Sequence, residues 1–367
     1  MGKNMGKNRF NFEKEVSNGG TVVVPSGVHY SNIVTVTKKT QIIGELGSFI
    51  FFDLNGAPFN NSWTSGILFG DGSEGSSVRG LSLHAGTAYA GINTKRTATN
   101  ITIEDCNIYG YSYKAVTIHS DACATKRIYC ESDLGNGNQD FANGGVYPMA
   151  ILVDPGERLE NMINSTLVED IVMGPHPRAL QGPMCKIAQV ENSIVRRIFT
   201  NHDKQQPNKY SLVLGEGVGK IEISDCVLPN GITYFNAGDP NYSRNLVKEL
   251  IVKDCILGIG TREETSSYSL FDHLNAEKAT FDSCVFNGID NTAIMEETPT
   301  EKMLYREYSN CTFKNFRELA SHGKWQGQVM FSKNPIGGEW VVRGCRADNI
   351  KWSSRSDVRE KFENQSI

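Results

Sequence analysis

Six short segments of alternating apolar character end in polar side chains that could do chemistry. They are Ala115–Asp121, Met149–Asp154, Cys185–Gln189, Tyr210–Glu216, Tyr268–Asp272 and Gln328–Lys333. If these segments stack as parallel strands, their ends form one row. Asp121 and Asp154 then lie one step of roughly 5 Å apart, and Asp154 and Glu216 two steps, roughly 10 Å. Carboxylate pairs at such separations suit cleavage of a glycosidic bond, one acting as acid and the other as base or nucleophile. The plainer reading is that polar residues finish strands where they meet water.

A second cluster is His202-Asp203-Lys204. An adjacent base and acid could abstract a proton next to a sugar carboxylate, with the lysine neutralising charge; a solvated loop is the plainer reading. Aromatic residues outside the alternating pattern are Trp63, Tyr109, Tyr111, Tyr113, Tyr234, Phe235, Tyr242 and Trp325. Flat rings stack on the apolar C–H faces of sugars, and they equally pack loops onto coils. Trp63, Tyr111, Tyr113, Tyr234 and Tyr242 form the candidate glycan-binding set. The sequence has no Cys-x-x-Cys pair and no Asp-rich calcium repeat, so no metal or cofactor is expected.

The elements that must position these groups are set by a repeat. Ile101-Thr-Ile-Glu-Asp-Cys-Asn-Ile-Tyr-Gly110 returns as Ile221–Leu228, Leu250–Gly258 and Ala279–Gly288, with looser copies around Cys130, Cys311 and Cys345. From Cys226 onward the cysteines at 226, 255, 284, 311 and 345 recur at steps of 29, 29, 27 and 34 residues. Thr166–Met173 and Ser193–Phe199 follow the pattern without cysteine. A repeat of this length built from strands alone specifies a β-solenoid. About twelve coils are expected, a rod on the order of 55–60 Å at the usual strand spacing. Glycine is 36 of 367 residues, and Asn and Ser are frequent, the turn chemistry of many short strands.

The nine cysteines are an odd count, seven of them at one place in successive repeats. Stacked neighbours point the same way and suit disulfide geometry poorly. They read as small buried hydrophobes with free thiols, which favours assembly in a reducing cytosol. The net charge of −4 is spread without a basic stripe, so nucleic acid is not an expected partner. No apolar run reaches membrane-spanning length, and the polar start Met1–Phe10 carries no secretory signal. Residues 1–9 read as an arm, 10–350 as one solenoid domain and 351–367 as a charged tail. Phe10, Phe12 and Val16 share one face of a short helix over 10–18, ended by Asn18-Gly-Gly. Such a helix would cover the open end of the first coil.

The run Gly19-Gly-Thr-Val-Val-Val-Pro-Ser-Gly-Val-His-Tyr30, followed by Gln41-Ile-Ile-Gly-Glu-Leu-Gly-Ser-Phe-Ile-Phe-Phe52, resembles the first coils of right-handed parallel β-helix proteins of the pectate-lyase-like superfamily. The cysteine-bearing repeats resemble its later coils, and the resemblance spans roughly residues 10–350. It implies an all-β, single-stranded parallel β-helix. Enzymes of this fold carry fuller motifs, such as Asp-Pro-His-Asp, or Asn-Thr-Asp with Gly-His-Gly. Those are absent here, and Ser321-His-Gly-Lys324 is a partial echo. The resemblance implies a phage tailspike or tail-fibre protein that recognises, and in the fuller version cleaves, a host-surface polysaccharide. Such a protein would be a homotrimer docking other virion proteins through residues 1–9 and 352–367. The alternatives are a stand-alone polysaccharide lyase, hydrolase or epimerase, and a structural or decoration protein of a virion.

Overall fold

The computed structural model describes residues 10–58, 61–132, 148–155, 162–174, 184–200, 210–215, 217–234, 247–258, 269–288, 292–296, 304–316, 330–332 and 338–347. The expected arm 1–9 and tail 351–367 lie outside them. The chain divides into two compact units, Met1–Pro148 and Met149–Ile367. Each is a parallel β-helix.

The first unit opens with the expected helix, Phe12–Asn18. Asn11 caps it by accepting the Lys14 N–H at 3.0 Å, and Glu13 and Glu15 occupy the positive end of its dipole. Phe12 and Val16 are buried beneath the first coil, and Gly19 ends the helix at φ 75°. The Phe12 ring meets Phe52 at 6.0 Å. Each full coil then has three strands. A first row runs Gly20–Val24, Thr40–Gly44, Ser77–Arg79, Thr102–Tyr109 and Cys123–Glu131, paired in parallel. A second runs Gly27–Asn32, Ser48–Asp53 and Ser82–His84, and continues into the later halves of Thr102–Tyr109 and Cys123–Glu131. A third runs Val34–Val36, Ser65–Phe69, Ala90–Thr94 and Lys114–Ile118.

The second unit repeats the scheme. Its first row runs from Ile163–Met173 through Val190–Thr200, Lys220–Ser224, Val247–Lys253, Ala276–Asp282 and Leu304–Ser309 to Gly338–Arg343. Short strands Val227–Leu228, Ile256–Leu257, Val285–Asn287, Thr312–Lys314 and Arg346–Ala347 form another row. The remaining row begins at Met149–Val153 and Cys185–Ile187 and reaches Met330–Ser332.

The Asp-Cys pair that marks the repeat has a geometric cause. Asp105, Asp170, Asp225, Asp254, Ser283, Asn310 and Gly344 all have φ between 50° and 61°. Each forms the corner where the first row ends, and a left-handed corner favours Asp, Asn and Gly. The next residue points inward. In the second unit that position is filled by Ile171, Ile198, Cys226, Cys255, Cys284, Cys311 and Cys345, all buried in one interior column. The coils without cysteine carry isoleucine there.

All nine cysteines are free and buried. The thiols donate to backbone carbonyls one coil away, as from Cys284 to Val252 at 3.4 Å and from Cys345 to Tyr308 at 3.4 Å. Cys255 lies between the thiols of Cys226 and Cys284. Hydrogen bonding to these neighbours, and then burial, push its pKa up.

Cys130 departs from the expected alignment. Its register partner is Ile108, whereas Ile128 aligns with Cys106. The corner of that coil is Arg127, at φ 50°. An arginine is costly in this conformation. Its guanidinium is held by Glu104 and, at 2.6 Å, by Asp105 one coil earlier. The second unit uses the same device: Arg197, at φ 51°, pairs with Glu169 and with Asp170 at 2.5 Å.

Strand Ser65–Phe69 lies outside every repeat that the sequence pattern marks. All five of its residues are buried, so it shows no alternation to read.

Candidate functional site

In the first unit, the strands after the corner turn alternate residues to solvent. Their register builds two outward columns. One is Tyr30, Phe51, His84, Tyr109 and Glu131; the other is Val28, Phe49, Ser82, Asn107 and Tyr129. The columns are two residues apart along each strand, and successive members are one strand spacing apart, about 4.8 Å.

The rings form a connected ladder. Tyr30 stacks on Phe51 at 5.6 Å, Phe49 lies 4.7 Å from Phe51, Phe51 lies 5.3 Å from His84, and Phe49 stacks on Tyr109 at 6.0 Å. Tyr109 and Tyr129 are 5.9 Å apart. Tyr30 is 69% exposed and Val28 58%, while the others are half-buried.

The polar groups among the rings are held in place. Asn107 Nδ2 donates to Ser82 Oγ at 3.1 Å, and the Tyr129 hydroxyl donates to Glu131 Oε2 at 3.1 Å. The Gly86 N–H donates to His84 Nδ1 at 3.1 Å. Gly110, at φ 64°, lies against the His84 ring, where any Cβ would overlap it. Burial and then the hydrogen bond to Glu131 push the Tyr129 phenol up to about 12, and burial and then Glu131 raise Tyr109. Both phenols are therefore neutral at physiological pH.

At the first coils the columns open into a cleft of about 850 Å³, lined by Phe10, Glu13, Tyr30, Phe51, Asp53 and His84 among others. Glu13 accepts the Asn32 N–H at 3.0 Å and Asp53 accepts the Asn55 N–H at 2.9 Å. Apolar ring faces interleaved with amide, hydroxyl and carboxylate groups are what a sugar requires: C–H faces to stack and hydroxyls to bond.

The row expected from sequence is staggered. In the second unit Val153, Ile187 and Leu214 share one register, so the position after them holds Asp154, Ala188 and Gly215. Gln189 falls one residue later, and Asp272 pairs with Thr233, two residues before that position. A one-residue stagger turns a side chain to the other face, so a single column of these groups does not form. Asp154 is paired with Lys186 at 3.3 Å, both partly exposed. Asp121 belongs to the first unit, half-buried two residues before Cys123. Glu216, His202, Asp203 and Tyr242 lie outside the described residues.

Of the expected aromatic set, Tyr111 and Tyr234 are buried at 0% and 2%, a correction: rings packed inside a coil cannot face a sugar. Tyr113 stacks on Tyr89 at 4.6 Å and stays half-buried. Trp63 is 44% exposed and lies 5.1 Å from His119. The outward columns were missed, although Phe49 and Phe51 are two aromatics at alternate positions of one strand, and Tyr30 and Tyr109 each stand two residues after another outward position. Among the described residues no group of three or more His, Cys, Asp or Glu could hold a metal ion.

The architecture has solved counterparts. The catalytic domain of a GH87 α-1,3-glucanase in complex with nigerose superposes with a TM-score of 0.58 at 10% identity, covering 97% of this chain and 65% of that one. A tailspike protein double mutant of E. coli bacteriophage HK620 in complex with pentasaccharide superposes at 0.54 and 9% identity, covering 93% of this chain and 72% of that one. These likenesses show the fold: the chain is a parallel β-helix. No protein-family model matches the sequence, and no curated protein does.

Proposed function

We propose that this chain recognises a polysaccharide through the aromatic columns of its first unit, as a tailspike-like component of a phage particle. The observation that carries the recognition is the outward ladder Tyr30, Phe51, His84, Tyr109, with its neighbour Phe49 and the cleft beneath. A monomeric β-helix that used these rings only for packing would bury them, whereas five coils in succession turn them outward. The placement on a phage particle is supported by the fold shared with a tailspike and by an interior of nine free thiols, which suits assembly in a reducing compartment.

The test is binding of purified capsular and lipopolysaccharide glycans by the intact chain and by Tyr109→Ala. Retention by the former and loss in the latter is the expected pair. Retention by neither would sink the reading.

Cleavage is the second reading. It is favoured by Asp154, a partly exposed carboxylate beside Lys186. Shortened glycan products that vanish in Asp154→Ala would support it. An undiminished product yield in that variant would remove Asp154 from the chemistry.

A further inference from the structure

We propose that the aromatic face selects an uncharged polysaccharide and rejects acidic ones; this rests on the face being the glycan site proposed above. The charges on the face have one sign. Within the two columns the only carboxylate is Glu131, and neither column holds a lysine or an arginine. The adjoining cleft adds Glu13 and Asp53 and no lysine or arginine, and its imidazole, His84, accepts the Gly86 N–H on Nδ1. The arginine nearest in sequence, Arg127, sits at the exposed corner two residues before Tyr129, and its guanidinium is taken up by Glu104 and Asp105.

A polymer of sugar acids would therefore set its carboxylates against Glu131, Glu13 and Asp53 with no counter-charge. Like charges brought together in a partly dewatered contact act as a filter against that partner. A neutral sugar meets the opposite situation. Its hydroxyls donate to the free lone pairs of Glu131, and its ring oxygens accept from the Asn107 amide and the neutral Tyr109 phenol. Its C–H faces lie on Tyr30, Phe49 and Phe51. The phenols suit this role, since a tyrosine hydroxyl is a neutral donor at physiological pH.

The test is affinity electrophoresis of the full chain through gels containing neutral polymers (dextran, mannan, an α-1,3-glucan) or acidic ones (alginate, polygalacturonate, hyaluronan). At least one neutral polymer should retard the protein, and no acidic polymer should. Tyr109→Ala should weaken the retardation by about tenfold, the size of one lost aromatic contact. Glu131→Gln should shift the ratio of acidic to neutral binding upward by a similar factor. Tyr30→Ala, at the most exposed ring, serves if Tyr109→Ala fails to fold.

Retardation by acidic polymers that depends on Tyr109 overturns the charge filter and leaves the glycan site standing. Retardation by neither class overturns the site and the filter together. Sedimentation supplies a further check. If Tyr30→Ala or Tyr109→Ala turns an oligomer into a monomer, the face joins copies of this chain and the inference falls.

Discussion

Replacing Gly110 with alanine tests whether the candidate face is built as described. Two costs are expected. Residue 110 has φ 64°, a conformation alanine adopts at a cost of about 1 kcal/mol. The added Cβ also overlaps the His84 ring, and overpacking of this kind costs about 1–3 kcal/mol. Together Gly110→Ala should lose about 2–4 kcal/mol. His84→Ala alone removes the ring contact to Phe51 and the hydrogen bond from the Gly86 N–H, about 1–2 kcal/mol. In the double variant the obstructing ring is gone and only the backbone cost of alanine remains. The double variant should therefore be about 1–3 kcal/mol more stable than the sum of the singles requires. Heat unfolding of the four proteins at one fixed scan rate, with unfolding rates compared where refolding fails, measures this coupling. Strict additivity would mean that His84 does not pack on Gly110. An unchanged Gly110→Ala protein would mean that residue 110 is not left-handed, and the alignment of His84 with Tyr109 would lose its support.

Other outcomes follow from the same geometry. Cys255→Ser places a hydroxyl in the interior thiol column and should destabilise by about 1–3 kcal/mol; in the native protein none of the nine cysteines should react with a thiol reagent at neutral pH, and rapid labelling of Cys255 would show the column to be open. Tyr129 should titrate near 12, above an ordinary phenol. Because the folded state favours the neutral phenol, its contribution to stability is complete below pH 10 and fades as pH rises toward 12, and tyrosinate absorbance should show Glu131→Gln lowering that titration. Deleting residues 1–18 should uncover Val22, Val34 and Phe52 at the first coil and cause aggregation, whereas a monodisperse truncated protein would contradict the capping role of the helix.

Much of the fold was legible because a β-helix writes its corner into the sequence. Asp225-Cys226, Asp254-Cys255 and Ser283-Cys284 mark a left-handed residue followed by an inward one, and each pair recurs at coil spacing. Where the corner residue is atypical the reading slipped. Arg127 hides its corner because its conformation is stabilised by Glu104 and Asp105 a coil earlier, so Cys130 was aligned two residues out of place. Strand Ser65–Phe69 was invisible because both of its faces are covered and no alternation survives.

The candidate site was less legible, and the reason is register. Which residue of Cys185–Gln189 stands beside Asp154 depends on a one-residue choice that the pattern of apolar residues does not fix. Burial was equally hidden for Tyr111 and Tyr234, whose neighbours in sequence look like those of the half-buried, outward Tyr109. Tyr30, Phe51 and Tyr109 are far apart in the chain, and only the pairing of their strands makes one surface of them.

A map of the protein soaked with a short uncharged oligosaccharide addresses the central claim most directly. Sugar rings lying flat on Tyr30, Phe51 and Tyr109, with hydroxyls reaching Glu131 and Asn107, are the predicted outcome. Sugar found only beside Asp154 and Lys186, with the aromatic columns bare, would contradict it.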